Sequence, residues 1–404
     1  MRRPSPWLIA VVILLGILIM RESRLRRVDD SFLGWFLQNA AISLPPAPIT
    51  LVEIGRADFQ SLTPAGERKP LPKGEAARRS LSPLEYALFL QAILEFHPAV
   101  VGIEPFLIWR TRDKVQEQVF LDQAMRVPKL LVSLELGGKG ARDLAPEDLP
   151  VLPNVSGTRG ALPEFSGINR QPDDDIRLIS TPGLVSPPNE NRDRLRVPML
   201  FEYRGEIVPS FALEAIILWL RATPGDVQVE LGSQIVLPNG WKIPLHPDGS
   251  TTINLAARQS VRRLSLSELL VAAQEHDHRL SNIENQIVLL RLEGDPLQGP
   301  NLVAAAIATI QTNSYIRPAG VLLSWLITLV FALLAASYRM ISRSNFFLGA
   351  IACSAGYAMV ELAFLSNGRL WLPMFLPLAL LWFIVIVRLV DRDGIARHEI
   401  VATA

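Results

Sequence analysis

Three apolar runs close this chain, and they limit what it can fold into more than any other feature. Residues 319–337, 346–366 and 370–390 each carry enough apolar side chains to cross a hydrocarbon core of about 30 Å, which takes roughly 20 helical residues. A fourth run, 7–20, stands near the N-terminus, and a long polar stretch separates it from the others. The expected layout is an N-terminal signal anchor with its basic flank (1–27), a large extracytoplasmic domain (28–318), three transmembrane helices (319–390) and a short cytoplasmic tail (391–404).

Arginine placement orients this layout. Arg339 and Arg343 lie in the 338–345 loop, Arg369 alone in the 367–369 turn, and Arg392 and Arg397 in the tail. Positive loops stay in the cytoplasm, so 28–318 is expected outside and the C-terminus inside the inner (plasma) membrane. Arg21, Arg24, Arg26 and Arg27 outnumber Arg2 and Arg3 and argue the other way, but the later short loops agree with one another. "MRESRLRR" offers no small-residue cleavage site, which favours an uncleaved anchor.

Composition excludes several functions. A net charge of +1 gives no basic face for nucleic acid. The only cysteine, Cys353, lies within an apolar run, so neither an internal disulfide nor a cysteine metal cluster is available. No phosphate-binding glycine loop, kinase catalytic segment, GxSxG elbow or HExxH motif is present.

Along the polar stretch, residues 28–44 predict a helix with Phe32, Trp35, Phe36 and Ala40 on one face. "ITLVEI" (49–54), "PAVVGIEPFL" (98–107), "KLLVSLEL" (129–136) and "QIVLLRL" (286–292) read as buried strands. Helices are expected from Pro83, near 115–126, and over 211–222, 266–276 and 301–313. Asn239-Gly240 marks a hairpin and 251–255 a further strand, while 137–196 reads as loop-rich. Apolar strands separated by helices, without polar alternation, indicate an α/β domain built on a mainly parallel or mixed sheet covered on both faces. No internal repeat or low-complexity segment interrupts it.

In this order the segments resemble the type-two CHASE domain, an extracytoplasmic sensory module of bacterial transmembrane receptors. "ITLVEIGRADF" is similar to the family's opening strand and acidic turn, and "AVVGIEPFL" to its strand ending in an acid, here Glu104. "LDQAM" stands where the family opens a short helix with an Asp, here Asp122. "INRQPDDDIRLIS" resembles the segment where an acidic turn precedes an Arg, here Asp175 and Arg177. "VPSFALEAI", "WKIPLHPDGSTTINLAARQSVRRLSLSELL", "IENQIVLLRLEGD" and "GPNLVAAAIATIQTNSYIRP" resemble later family elements, so the likeness runs over roughly 30–390. Gly55 and Arg56 depart from the family's acidic pair, Arg291 replaces a Gly, and the following loop, "LEGDPLQGP", is short. Family receptors usually continue into a kinase or cyclase. Here about a dozen residues follow the last apolar run, so any output is expected from a partner.

The resemblance and the rule that open α/β sheets bind ligands beyond the carboxyl ends of their strands make Glu104 and Arg177 the candidate ligand-binding residues. Within the membrane, Glu361 is the candidate coupling residue, about 22 Å along its helix at 1.5 Å per residue. Arg388 is expected to snorkel at the opposite boundary, and Pro373 and Pro377 to kink the last helix. His276 and His278 would point about 200° apart on a helix and make a poor metal pair. Asp173, Asp174 and Asp175 lack EF-hand spacing and read as an ordinary acidic turn.

The leading reading is therefore a non-enzymatic membrane sensor or signalling subunit without cofactor or metal. Its outer domain would act through the bilayer-embedded bundle on a separate cytoplasmic signalling protein. A structural scaffold for other envelope proteins is the alternative. A transporter routed through Glu361 would require a homo-oligomer, and the oligomeric state stays open.

Overall fold

A computed structural model describes residues 23–39, 44–55, 81–109, 113–138, 144–145, 148–187, 195–293, 302–336, 343–383 and 385–386. The first apolar run, Arg56, the 294–300 loop, most of the 338–345 loop, Arg388 and the tail lie outside these residues. The chain divides into two compact units, Leu44–Tyr315 and the described parts of Met1–Ser43 and Ile316–Ala404.

The first unit is a mixed α/β domain. Its sheet uses β1 (Ile49–Ile54), β2 (Val100–Ile103), β3 (Leu130–Gly137), β4 (Gly167–Arg170), β5 (Thr181–Val185), β6 (Arg262–Ser265) and β7 (Ile287–Leu292). The order is β6-β1-β7-β2-β3, and β3 continues to both β4 and β5. Every pair is parallel except β3 with β4. β1, β2, β3 and β7 are almost wholly buried, as their unbroken apolar runs require.

Helices α2 (Pro83–Leu94), α3 (Lys114–Ala124), α4 (Phe211–Trp219), α5 (Leu266–Gln274) and α6 (Leu302–Gln311) follow the sequence patterning closely, whereas α1 (Ser23–Asn39), expected over 28–44, starts earlier. α2 opens with Pro83 behind a Ser82–Glu85 capping box, and α5 opens with the equivalent Ser265–Glu268 box. The β1→β2, β2→β3 and β6→β7 connections all advance in one direction across the sheet. Right-handed crossovers then place their helices on one face. There α2 packs against both α3 and α5, and Phe89, Ile93, Phe120 and Leu269 meet Val52, Ile103, Val132 and Leu290 of the sheet.

The opposite face carries α4 and α6, which pack together. The Phe211 ring lies directly on the strands. A Cβ at Gly183 would sit 2.2 Å from Phe211 Cδ2, and one at Gly102 2.7 Å from Leu289 Cδ2. α6 lies alongside β1, with Gln311 Nε2 donating to Pro48 O at 3.2 Å at the strand's amino end.

The stretch expected to be loop-rich holds β4, β5 and part of a hairpin system. Its strands are short and broken by Pro and Gly, so period-two patterning never builds up. Leu200–Tyr203 and Glu206–Pro209 form a hairpin whose turn, Arg204-Gly205, has φ of 51° and 85°. The hairpin marked by Asn239-Gly240 pairs Gln234–Val236 with Lys242–Pro244. The strand expected at 251–255 is Ser250–Thr252, and a 3-10 helix, Leu255–Gln259, begins where it was expected to end.

In the second unit, α1 is joined by α7 (Val321–Ala336), α8 (Arg343–Gly368) and a helix over 375–383. Among the described residues, one helix, Asn345–Asn367, is long and apolar enough to cross a membrane. The buried face of α1 is Leu33, Phe36 and Leu37, one step round from the stripe expected, with Trp35 60% exposed and Phe32 also exposed. The last apolar run is not one kinked helix. Leu370–Trp371 pairs in parallel with Arg317–Pro318, and the helix starts at 375. Pro373 precedes it and Pro377 falls in its first turn, where the missing N–H costs nothing.

Candidate functional site

Beside each central strand's carboxyl end stands a charged side chain: Glu53 in β1, Glu135 in β3, Arg291 in β7 and Glu104 just past β2. Register aligns them. Glu53 pairs with Arg291, Leu290 with Ile103, and Ile103 with Val132, so Arg291, Glu104 and Ser133 continue one row across the sheet. Val52, Ile103, Leu290 and Val132 face the apolar core under α2. Alternation therefore turns Glu53, Arg291, Glu104, Ser133 and Glu135 toward the face that carries α4 and α6.

Glu104 and Arg291 are buried, and Glu104 N donates to Leu290 O at 3.0 Å. At the β3 end, Arg170 grips Glu135 through two bonds of 2.7 and 2.8 Å, and its guanidinium lies 4.2 Å from the Phe106 ring centroid. At the other end, Arg263 of β6 pairs with Leu51 and so shares the face of Glu53. Half-buried Arg258 reaches in from the 3-10 helix that packs on α6. Its pKa is lowered by burial and then by Arg263 and Arg291, with Glu53 acting in the opposite direction. Guanidinium and carboxylate groups side by side can bind a charged or polar ligand. Among the described residues, no His, Cys, Asp and Glu group is arranged to hold a metal.

The expected site residues separate. Glu104 falls in this row, whereas Arg177 sits in the short helix Asp174–Leu178, paired with Asp174 at 3.0 Å and Asp148 at 3.8 Å. Ile176 of that helix packs into the core on the α2 face. Glu53, Glu135, Arg170, Arg258 and Arg263 were not anticipated. Their signal was present for two of them, since a single charge near the end of an apolar strand is conspicuous in "ITLVEI" and "LLVSLEL". The exposed His276 ends α5 in the left-handed region, with φ of 49°.

A half-open pocket of about 660 Å³ lies at the opposite, amino end of the sheet, bordered by His97, Arg126, Lys129, Arg221 and Asn285. Helix C-termini converge there, and Lys129 Nζ donates to Leu218 O, a terminal carbonyl of α4, at 2.7 Å. Cations at helix C-termini stabilise the exposed carbonyls and the macrodipole. Near Lys129, Glu214 is only 2% exposed. Burial pushes its carboxyl up to about 7, with Lys129 pulling the other way.

In the second unit, polar side chains gather on residues 372–375. Fully buried Glu361 accepts from Leu372 N at 2.9 Å, and Asp29 of α1 accepts from Phe375 N at 2.7 Å. Tyr357 Oη donates to Pro373 O at 2.7 Å, and Phe36 lies edge-on to Trp371 with centroids 6.0 Å apart. A backbone that leaves helical geometry in apolar surroundings needs such partners. Glu361 thus serves as a backbone acceptor.

No curated protein and no solved structure matches this chain. The CHASE2 domain family does, over residues 9–291, from within the first apolar run to the charged residue of β7. CHASE2 is an extracytoplasmic sensory domain and not a catalytic one. With well over half of its length matched, including every strand of the charged row, the chain belongs to the CHASE2 domain family.

Proposed function

We propose that this protein is a multi-pass inner-membrane sensor or signalling subunit. Its CHASE2 domain lies outside the cytoplasm and acts through the helices of the second unit on a separate cytoplasmic partner. One observation carries the reading. The two chain segments that flank the α/β unit in sequence are both fastened to residues 369–375, immediately before the last helix. α1 is held there through Asp29 and Phe36, and 317–319 through Arg317 N to Arg369 O at 2.9 Å and Ala319 N to Trp371 O at 2.7 Å. A change in the α/β unit that shifts either segment would be felt at the start of the last helix. Such a device needs two packings of comparable free energy, which a ligand binds unequally.

The test is recovery of tagged full-length protein from its native membrane after mild crosslinking. A kinase, cyclase or response protein in the recovered complex is the expected result. Envelope or secretion components alone would overturn it in favour of a scaffold.

A further inference from the structure

The charged row is unevenly balanced. At the β3 end, Glu135 has its own guanidinium in Arg170, held in a two-bond fork. Toward the β6 edge, Arg263 and Arg291 both lie within electrostatic reach of Arg258, so that three guanidinium groups meet two carboxylates, Glu53 and the buried Glu104 that stands beside Arg291 in the row. Register puts Arg263 and Arg291 on strands either side of β1, on the face that Glu53 shares. Arg291 is buried and cannot swing away into solvent. The Arg258 Nε–H is itself buried and has no hydrogen-bond partner among the described residues. Buried donors are nearly always satisfied, so an exception leaves a place for a water, an ion or a ligand. α6 adds to the field. Its C-terminus is fixed at the amino end of β1, so its positive N-terminal end is directed toward the carboxyl side of the sheet.

We propose that Arg258, Arg263 and Arg291 form the receptor site for a small anion, a carboxylate or phosphate, on the α6 face of the sheet. This rests on the sensor reading for its role in signalling, though not for binding itself. Guanidinium suits such ligands because its planar fork matches two oxygens at once. Glu53 holds the cluster together in the absence of ligand and sets an orientation, since an incoming anion must approach from the arginine side.

The experiment is thermal unfolding of the purified full-length protein in inorganic phosphate, in succinate and in chloride of equal ionic strength. A rise in Tm of about 2–4 °C with phosphate or succinate over chloride is expected, because a ligand that binds only the native state shifts unfolding by mass action. Which of the two acts separates a phosphate site from a carboxylate site. Arg258→Gln should abolish the rise. Arg263→Gln, at an exposed position, should weaken it and serves as the variant if Arg258→Gln does not fold. No rise with either anion, or a rise undiminished in both variants, overturns the site. An anion response without any cytoplasmic partner in the crosslinked complex would remove the sensor reading and leave the site standing. A partner without an anion response would do the reverse.

Discussion

Glu214 shows how one buried carboxyl links stability to pH. Folding raises its pKa from 4.5 to about 7, so the native state holds the proton more tightly than the unfolded chain does. Stability therefore falls as pH rises from about 4.5 to about 7, by about 3 kcal/mol for a shift of this size, and stays low above it. Glu214→Gln should flatten that slope and raise stability at pH 8, as read from denaturant unfolding across pH. Glu361 makes a different prediction. Glu361→Gln keeps the oxygen that accepts from Leu372 N, whereas Glu361→Leu strands that N–H at a cost of about 1–3 kcal/mol. Detergent-solubilised stability should separate the two variants, and equal loss in both would refute the acceptor role. At this scale the sequence disclosed positions better than roles. Glu104 could be placed beside a strand end, and Glu361 singled out in an apolar helix. The partners that define them come from distant segments: Asp29 and Phe375 are joined across most of the chain.

Elements were readable where length and composition agreed. β1, β3 and β7 and the capping boxes of α2 and α5 each announce themselves within a few residues. Strand β6 did not, because "RRLS" at a sheet edge carries no apolar run. Helix ends were equally hard to place. His97, Arg221, His276, Asn313 and Arg369 follow helices with φ between 46° and 55°, where Gly would be the expected stop. The close approach of α4 rests on Gly183. Gly183→Ala drives a methyl group into the Phe211 ring and should cost about 1–3 kcal/mol, seen as a lower urea midpoint with an unchanged m-value. An unaltered midpoint would mean that α4 is free to move off the sheet.

Over the whole molecule, the α/β class and the succession of segments followed from apolar patterning, and the family followed from their order. The sheet order did not follow. Nothing local tells β7 to enter between β1 and β2 rather than beside β3, since every one of these strands is apolar on both faces. That placement has its own consequence for how the protein is made. β1 and β2 are synthesised early, yet the strand that pairs with both arrives about 180 residues after β2. Until residues 287–292 have emerged, the two older strands hold edges open to any passing strand, their own or a neighbour's. A nascent chain halted before that point is not a smaller domain but a sheet with a gap in its centre.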